Sequence, residues 1–240
     1  ILFLERQHLK RSIDNMTSQG MFITFEGGEG TGKTTQIQLL ATSLTRVLGP
    51  HSFVITREPG GAKAAESIRD LLVNGETKRW KPLTEALLLS AARYEHIEQI
   101  IKPALMQNKV VISDRFSDST IIYQGVVGGV SEHHIDTINK IVCGNISPDL
   151  TIILDIESKI GLRRAASRGA GENRFEAKGL AFHEKVRTGF IDLAAAQSQR
   201  CVIIDASQAV QDVANDVLQI VLARVNAAGL IVHSETNSDR

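Results

Sequence analysis

One stretch limits the fold more than any other. The run Met21-Phe22-Ile23-Thr24-Phe25-Glu26 leads directly into Gly27-Gly28-Glu29-Gly30-Thr31-Gly32-Lys33-Thr34. The run reads as a buried strand, and the eight residues after it fit the spacing G-x-x-x-x-G-K-[ST]. Ile37, Leu40, Ala41, Leu44, Val47 and Leu48 then recur at helical spacing until Gly49-Pro50 stops them. Glycine lets the backbone turn its N–H groups inward as an anion-binding nest. The helix that follows aims its N-terminal partial charge at the same point. The stretch therefore predicts a nucleoside triphosphate site over Gly27, Gly28, Glu29, Gly30, Thr31, Gly32, Lys33 and Thr34. Lys33 would reach the terminal phosphates, and the Thr34 hydroxyl would hold Mg²⁺.

The remaining chain alternates strands with helices. Strands are predicted over residues 52–57, 109–114, 150–156 and 201–205, the first of them buried like the run at 21–26. Helices are predicted over 62–73, 83–106, 131–142, 158–168 and 208–228, and around Phe182, Val186, Phe190 and Leu193. In the long helix over 83–106, Leu87, Leu88, Ala91, Ala92, Ile97, Ile100 and Ile101 supply the apolar face, while Arg93, Glu95, His96 and Glu98 mark the polar side. This alternation argues for an α/β protein, a five-stranded parallel sheet with helices on both faces. One domain over 21–228 is expected, preceded by an extension over 1–20 that is flexible or an artefact of start-site choice, and followed by a polar tail over 229–240.

Charge excludes some partners. With 27 basic and 27 acidic residues the formal net charge is zero, so no bulk field draws the chain to nucleic acid or an anionic membrane. No apolar run approaches the roughly 18–20 residues of a membrane span. Cys143 and Cys201 lie among apolar residues outside any C-x-x-C spacing and read as buried free thiols in a cytoplasmic setting. His133-His134 reads as a solvated helix start.

Basic residues must then act locally. Asp114 closes an apolar strand, the position of a second Mg²⁺-side element in phosphate-loop enzymes. Arg115 and Arg57 fall at strand tips, where guanidinium forks could clamp a second phosphate. A Gly/Arg-rich break over about 168–178 reads as a lid, with Arg164, Arg168 and Arg174 on or beside it. The loop between Gly27 and Gly32 contains no Arg or Lys, so a cation serving the transition state must come from elsewhere, and Arg168 and Arg174 are the candidates.

Three separated motifs now stand in order: Phe25 to Gln36, Thr56-Arg57-Glu58-Pro59-Gly60-Gly61, and Asp114-Arg115-Phe116-Ser117-Asp118-Ser119-Thr120-Ile121-Ile122-Tyr123-Gln124-Gly125. Pro148-Asp149-Leu150-Thr151 and the segment from Arg174-Phe175-Glu176 to Val186-Arg187 extend them. Together they resemble the bacterial thymidylate kinase family over roughly residues 21–228. The resemblance implies a phosphate-loop nucleoside monophosphate kinase fold, ATP as donor, dTMP as acceptor, Mg²⁺ held at Thr34 and Asp114, and a homodimer. It further implies that Arg57 and Arg115 hold the dTMP phosphate and that Glu29 takes the deoxyribose 3′-hydroxyl. Arg93 would hydrogen-bond the thymine edge, with Ser119 and Thr120 on the base side. Tyr123 would crowd the ribose 2′ position, and Arg164 would lie against adenine. Lys33, Asp114, Arg115, Arg168 and Arg174 would carry the transfer.

The chain departs from the family pattern at three places. Leu89 stands where an aromatic often stacks on thymine, Ala62 where Thr is usual, and Phe116 where Tyr is common. Another nucleoside monophosphate kinase would share most of these parts, although Tyr123 and Arg93 argue against one. A nucleotide-dependent switch protein would need an Asn-Lys-x-Asp base reader, and Asn139-Lys140 continues into Ile141-Val142 without the Asp.

Overall fold

β1 (Met21–Glu26), β2 (Phe53–Arg57), β3 (Val110–Asp114), β4 (Leu150–Asp155) and β5 (Cys201–Asp205) form one parallel sheet in the order β2-β3-β1-β4-β5. The computed structural model describes residues 20–74, 76, 79–167 and 178–230. Most of the expected N-terminal extension, the lid arginines Arg168 and Arg174 and most of the tail lie outside the described residues. Among the described residues, no helix is long and apolar enough to cross a membrane.

Register aligns the strand tips. Phe25 pairs with Asp114, Arg57 with Asp114, and Glu26 with Ile153. The carboxyl ends of β1, β2, β3 and β4 thus share one edge. The connection from β1 runs to one side, past β3 to β2, and the connection from β3 runs to the other, past β1 to β4; open α/β sheets leave a crevice at such a reversal.

Strand alternation sorts the core into two faces. Met21, Ile23 and Phe25 pack with Ile37, Leu40 and Leu44 of α1 (Lys33–Leu48) and with Val213, Val217, Val221 and Val225 of the last helix (Val210–Ala227). On the opposite face, Phe22 and Val111 meet Ile97, Ile101, Ala104, Leu105 and Phe116. Ile153 there meets Val186, Phe190 and Leu193 of the helix Leu180–Ala196.

Between these elements lie α2 (Lys63–Val73), α3 (Pro82–His96), α4 (Lys102–Met106), α5 (Ser117–Thr120), α6 (Glu132–Cys143) and α7 (Ser158–Ala166). The Leu180–Ala196 helix is α8 and the Val210–Ala227 helix is α9.

Several expectations need correction. β2 is an edge strand, paired only with β3, and Ile55 is 45% exposed. A short apolar run cannot by itself distinguish an edge from a centre. The long helix over 83–106 is interrupted by a π-helical turn, Ile97–Ile101, in which the Lys102 N–H reaches back five residues to the Ile97 carbonyl. Pro103 explains the interruption: it has no N–H for the carbonyl one turn earlier, and its ring needs room there. Arg93 and His96, assigned to the polar side, are buried at 2% and 0% exposure, whereas Leu87, assigned to the apolar face, is 51% exposed. Cys201 is buried, but Cys143 is only half-buried.

The phosphate loop is pressed against α7 backbone to backbone. A Cβ on Gly30 would collide with the Gly161 carbonyl, and one on Gly161 would collide with the Glu29 carbonyl. Gly161→Ala is therefore expected to lower unfolding stability by about 1–3 kcal/mol. Gly28→Ala, whose Cβ would meet nothing within 4 Å, should stay within about 0.5 kcal/mol. Urea unfolding of the two variants checks the contrast; equal losses would show that the Gly30–Gly161 contact can yield.

Candidate active site

The loop following β1 closes on its own lysine. Gly32 caps α1 in a left-handed conformation with φ 93°, which only glycine adopts without cost. From the first turn of α1, Lys33 Nζ donates to the carbonyls of Gly28 at 2.9 Å and Gly27 at 3.2 Å. Burial pushes the Lys33 ammonium down to about 8, with the nearby Arg115 adding to the effect. Thr34 Oγ1 donates to Asp114 Oδ2 at 3.0 Å, bringing a hydroxyl and a carboxylate from two elements side by side. Such an oxygen pair suits Mg²⁺, which takes one or two protein oxygens and completes its shell with phosphate and water. Among the described residues, no group of three or more His, Cys, Asp or Glu is placed to hold a metal alone.

Arg115 is the centre of the site. It follows β3 with φ 73°, a left-handed conformation that costs a non-glycine residue roughly 1–2 kcal/mol. Its N–H donates to the Phe25 carbonyl at 2.9 Å, which holds the kink in place. The guanidinium turns back under the phosphate loop. Nη1 donates to the Gly27 carbonyl and to Ser119 Oγ, both at 3.1 Å, and Nη2 donates to Glu29 Oε1 at 2.9 Å. Glu26 lies 3.9 Å away, and the Tyr123 ring lies against the guanidinium with its centroid at 5.3 Å. Burial works against the charge on Arg115, but these neighbours outweigh it and raise its affinity for the proton. Burial would also raise the Glu29 carboxyl, yet Arg115 and Lys33 hold it below its ordinary range, as an acceptor.

Glu26 is fully buried at the tip of β1. It accepts from Phe116 N–H at 2.9 Å, Ser119 N–H at 3.3 Å and Ser119 Oγ at 2.7 Å. Desolvation exceeds these bonds and the pull of Arg115, so its carboxyl is pushed up to about 7.

A cleft of about 570 Å³, open to solvent, adjoins Arg115. Leu72, Leu89 and Phe116 give it apolar walls, while Arg93, Thr120 and Gln124 supply polar atoms. Arg93 Nε donates to Glu58 Oε2 at 2.7 Å, and Nη2 donates to Thr120 Oγ1 at 3.0 Å. Arg93 Nη1 and Gln124 Oε1 are buried with no partner among the described residues. A second π-helical turn, Ile121–Val126, carries Tyr123 and Gln124. Tyr123 OH donates to Glu29 Oε1 at 3.2 Å, joining the cleft to the loop.

The structure thus gathers Glu29, Arg93, Arg115, Ser119, Thr120 and Tyr123 along one cleft, with Lys33, Thr34 and Asp114 beside it. Arg57 does not line the cleft; at the shared edge it is paired with Glu66 at 3.0 Å, and both side chains are well exposed. Arg164 stands apart, with Nη1 donating to the Ala206 carbonyl at 3.0 Å in the turn after β5. Glu26, Glu58 and Gln124 had no role from sequence. All three fall inside the quoted motifs, but nothing in their spacing shows that Glu58 turns onto a helix 35 residues away.

A family model described as thymidylate kinase matches residues 25–217. This chain belongs to the thymidylate kinase family. A thymidylate kinase of Caulobacter vibrioides is 49% identical over 208 residues, covering 87% of this chain and 99% of that relative. One of Geotalea uraniireducens is 46% identical over 211 residues, covering 86% and 98%. The crystal structure of thymidylate kinase from Ehrlichia chaffeensis superposes with a TM-score of 0.70 at 38% identity, covering 84% of this chain and 98% of that one.

In this thymidylate kinase family member the buried carboxyl of Glu26 has a measurable signature. Burial holds the Glu26 carboxyl up at about 7 in the folded protein, whereas an unfolded chain has the ordinary glutamate value near 4.5. Between those values the folded state binds more protons, so stability falls as pH rises, by on the order of 3 kcal/mol in all. Glu26→Gln should lack this component. Unfolding free energies of both proteins at pH 5 and pH 8 check it; a constant difference between them would show that the carboxyl titrates normally.

Proposed function

We propose that the chain transfers the γ-phosphoryl group of ATP to dTMP, giving dTDP and ADP. The observation that carries this reading is the position of Arg115. It touches the Gly27 carbonyl of the phosphate loop and also lines the neighbouring cleft, so one half-buried cation borders both anion sites. Family membership supports the choice of both substrates.

The cleft suits a thymine nucleotide. Arg93 Nη1 offers a donor to a ring carbonyl, and Gln124 Oε1 offers an acceptor to a ring N–H. Ser119 and Thr120 flank the base, and Leu89 gives apolar contact in place of an aromatic stack. Glu29, held as a carboxylate, takes the 3′-hydroxyl. Tyr123, bonded to Glu29, fills the space a 2′-hydroxyl would need and selects by exclusion. Arg115 holds the acceptor phosphate, and Arg57 joins it by leaving Glu66.

The donor lies along the loop from Gly27 to Thr34, with Arg164 beside adenine. The acceptor is already an anion, so the transfer needs alignment and charge neutralisation rather than a strong base. Lys33 follows the β- and γ-phosphates and Arg115 fixes the attacking oxygen. Thr34 and Asp114 would hold Mg²⁺, which when bound neutralises charge on the phosphate oxygens. Arg168 or Arg174, outside the described residues, supplies the remaining cation at the transition state. The kinase domain spans 21–228, with a lid over about 168–178.

A homodimer fits the surface. Leu83, Leu87 and Tyr94 of α3 are 41%, 51% and 49% exposed, and Ile141 of α6, which packs beside α3, is 73% exposed. A second copy would cover this apolar face. Leu87→Glu should yield monomers in sedimentation equilibrium at micromolar concentration, where the unaltered chain sediments as a dimer.

The central experiment is a coupled ADP-release assay with ATP and, in turn, dTMP, dUMP, UMP, CMP, GMP and AMP. Turnover should be highest with dTMP. Equal turnover without a monophosphate, or preference for AMP or GMP, would overturn the reading. Arg115→Ala should lower kcat/KM for dTMP by about 10²–10³ while ATP binding persists.

A further inference from the structure

Among the described residues Arg93 heads the fully buried side chains by volume. Its guanidinium lies over Phe116, centroid at 5.1 Å, and two of its three nitrogens are bonded. The third, Nη1, is buried with no partner among the described residues, and Arg93 lines the cleft. What that nitrogen can recognise depends on what fixes the plane of the guanidinium.

Glu58 does so, and is itself held. Its Oε2 takes Arg93 Nε at 2.7 Å, while its Oε1 lies 3.0 Å from His96 Nδ1. His96 Nε2 in turn meets Thr56 Oγ1 at 2.6 Å. Thr56, His96, Glu58 and Arg93 thus form an unbroken buried chain from β2 to the cleft. His96 sits three residues after Arg93, on the same side of α3. The turn after β2 closes over its ring: a Cβ on Gly61 would come within 2.5 Å of Thr56 Oγ1 and 2.7 Å of His96 Cδ2. A carboxylate gripped at one oxygen can rotate about its last bond, whereas one gripped at both cannot.

We infer that His96, acting through Glu58, is a positioning residue for base selection. It fixes the Arg93 plane so that Nη1 meets a ring carbonyl and rejects an amino group at the same place. The ligand class selected is a pyrimidine with a 4-oxo group over one with a 4-amino group. The inference rests on the proposed reading of the cleft as the base site.

The test separates the two ring nitrogens. Asn at 96 places an amide N–H near Nδ1 and keeps the bond to Glu58; Gln places its amide near Nε2 and loses that bond. kcat and KM are measured for dTMP, dCMP and ATP in His96→Asn, His96→Gln and Arg93→Lys, with thermal midpoints alongside. His96→Gln should raise KM for dTMP and reduce discrimination between dTMP and dCMP about tenfold or more. Its kcat and its KM for ATP should stay within about threefold. His96→Asn should keep discrimination within about threefold even if its midpoint falls as far. Equal discrimination in the Asn and Gln variants, loss that follows the thermal midpoint, or an equal shift in KM for ATP would overturn the inference. If Arg93→Lys leaves discrimination intact, the base-site reading fails as well. If Arg93→Lys loses discrimination and His96→Gln does not, only the role of His96 fails.

Discussion

A largely enclosed guanidinium, 17% exposed, binds four segments of this protein to one another. Arg115 reaches the end of β1 through Glu26, the phosphate loop through the Gly27 carbonyl and Glu29, α5 through Ser119, and the second π turn through Tyr123. Removing such a charge from water costs several kcal/mol, which only close carboxylates and well-aimed acceptors offset. The acids around it are therefore required by the arginine. Glu26 is the more costly of the two, since the interior that shields Arg115 also resists a second charge.

Arg93 repeats the arrangement in the same cleft, with Glu58 as its counter-ion. The two cations differ in what they leave open. Arg115 is enclosed by acceptors and presents a field, suited to a dianion. Arg93 presents one nitrogen, Nη1, without a partner among the described residues, suited to one atom of a neutral ring. Both are aligned before any ligand arrives, which is the condition under which fixed dipoles and charges act without reorganisation.

Much of this was legible in the chain. The strand-loop-helix stretch set the site, and the alternation of apolar runs with helical periodicity set the parallel sheet, because both signals are local. What could not be read depends on neighbours distant in sequence. β2 looks like its buried partners, yet it occupies an edge. Arg93 and His96 read as a polar face because charge usually marks solvent, whereas Glu58, 35 residues before Arg93, makes burial possible. Leu87 was assigned to the interior although it faces outward, since an apolar stripe does not reveal what covers it. The resemblance implies that Arg93 meets the base, but its grip by Glu58 and Thr120, 35 and 27 residues away, leaves no local signal.

The π turn at Ile121–Val126 bears on how such a cleft can share a wall with a core. An added residue in a helical turn shifts the angular phase of everything beyond it. Ile122 stays in the cluster with Val186 and Phe190, Tyr123 belongs both to that cluster and to the cleft wall, and Gln124 lines the cleft. Packing and recognition thereby meet within one short segment, and Tyr123 serves both. A change at Tyr123 would therefore be felt in the core beside β4 as well as in the cleft.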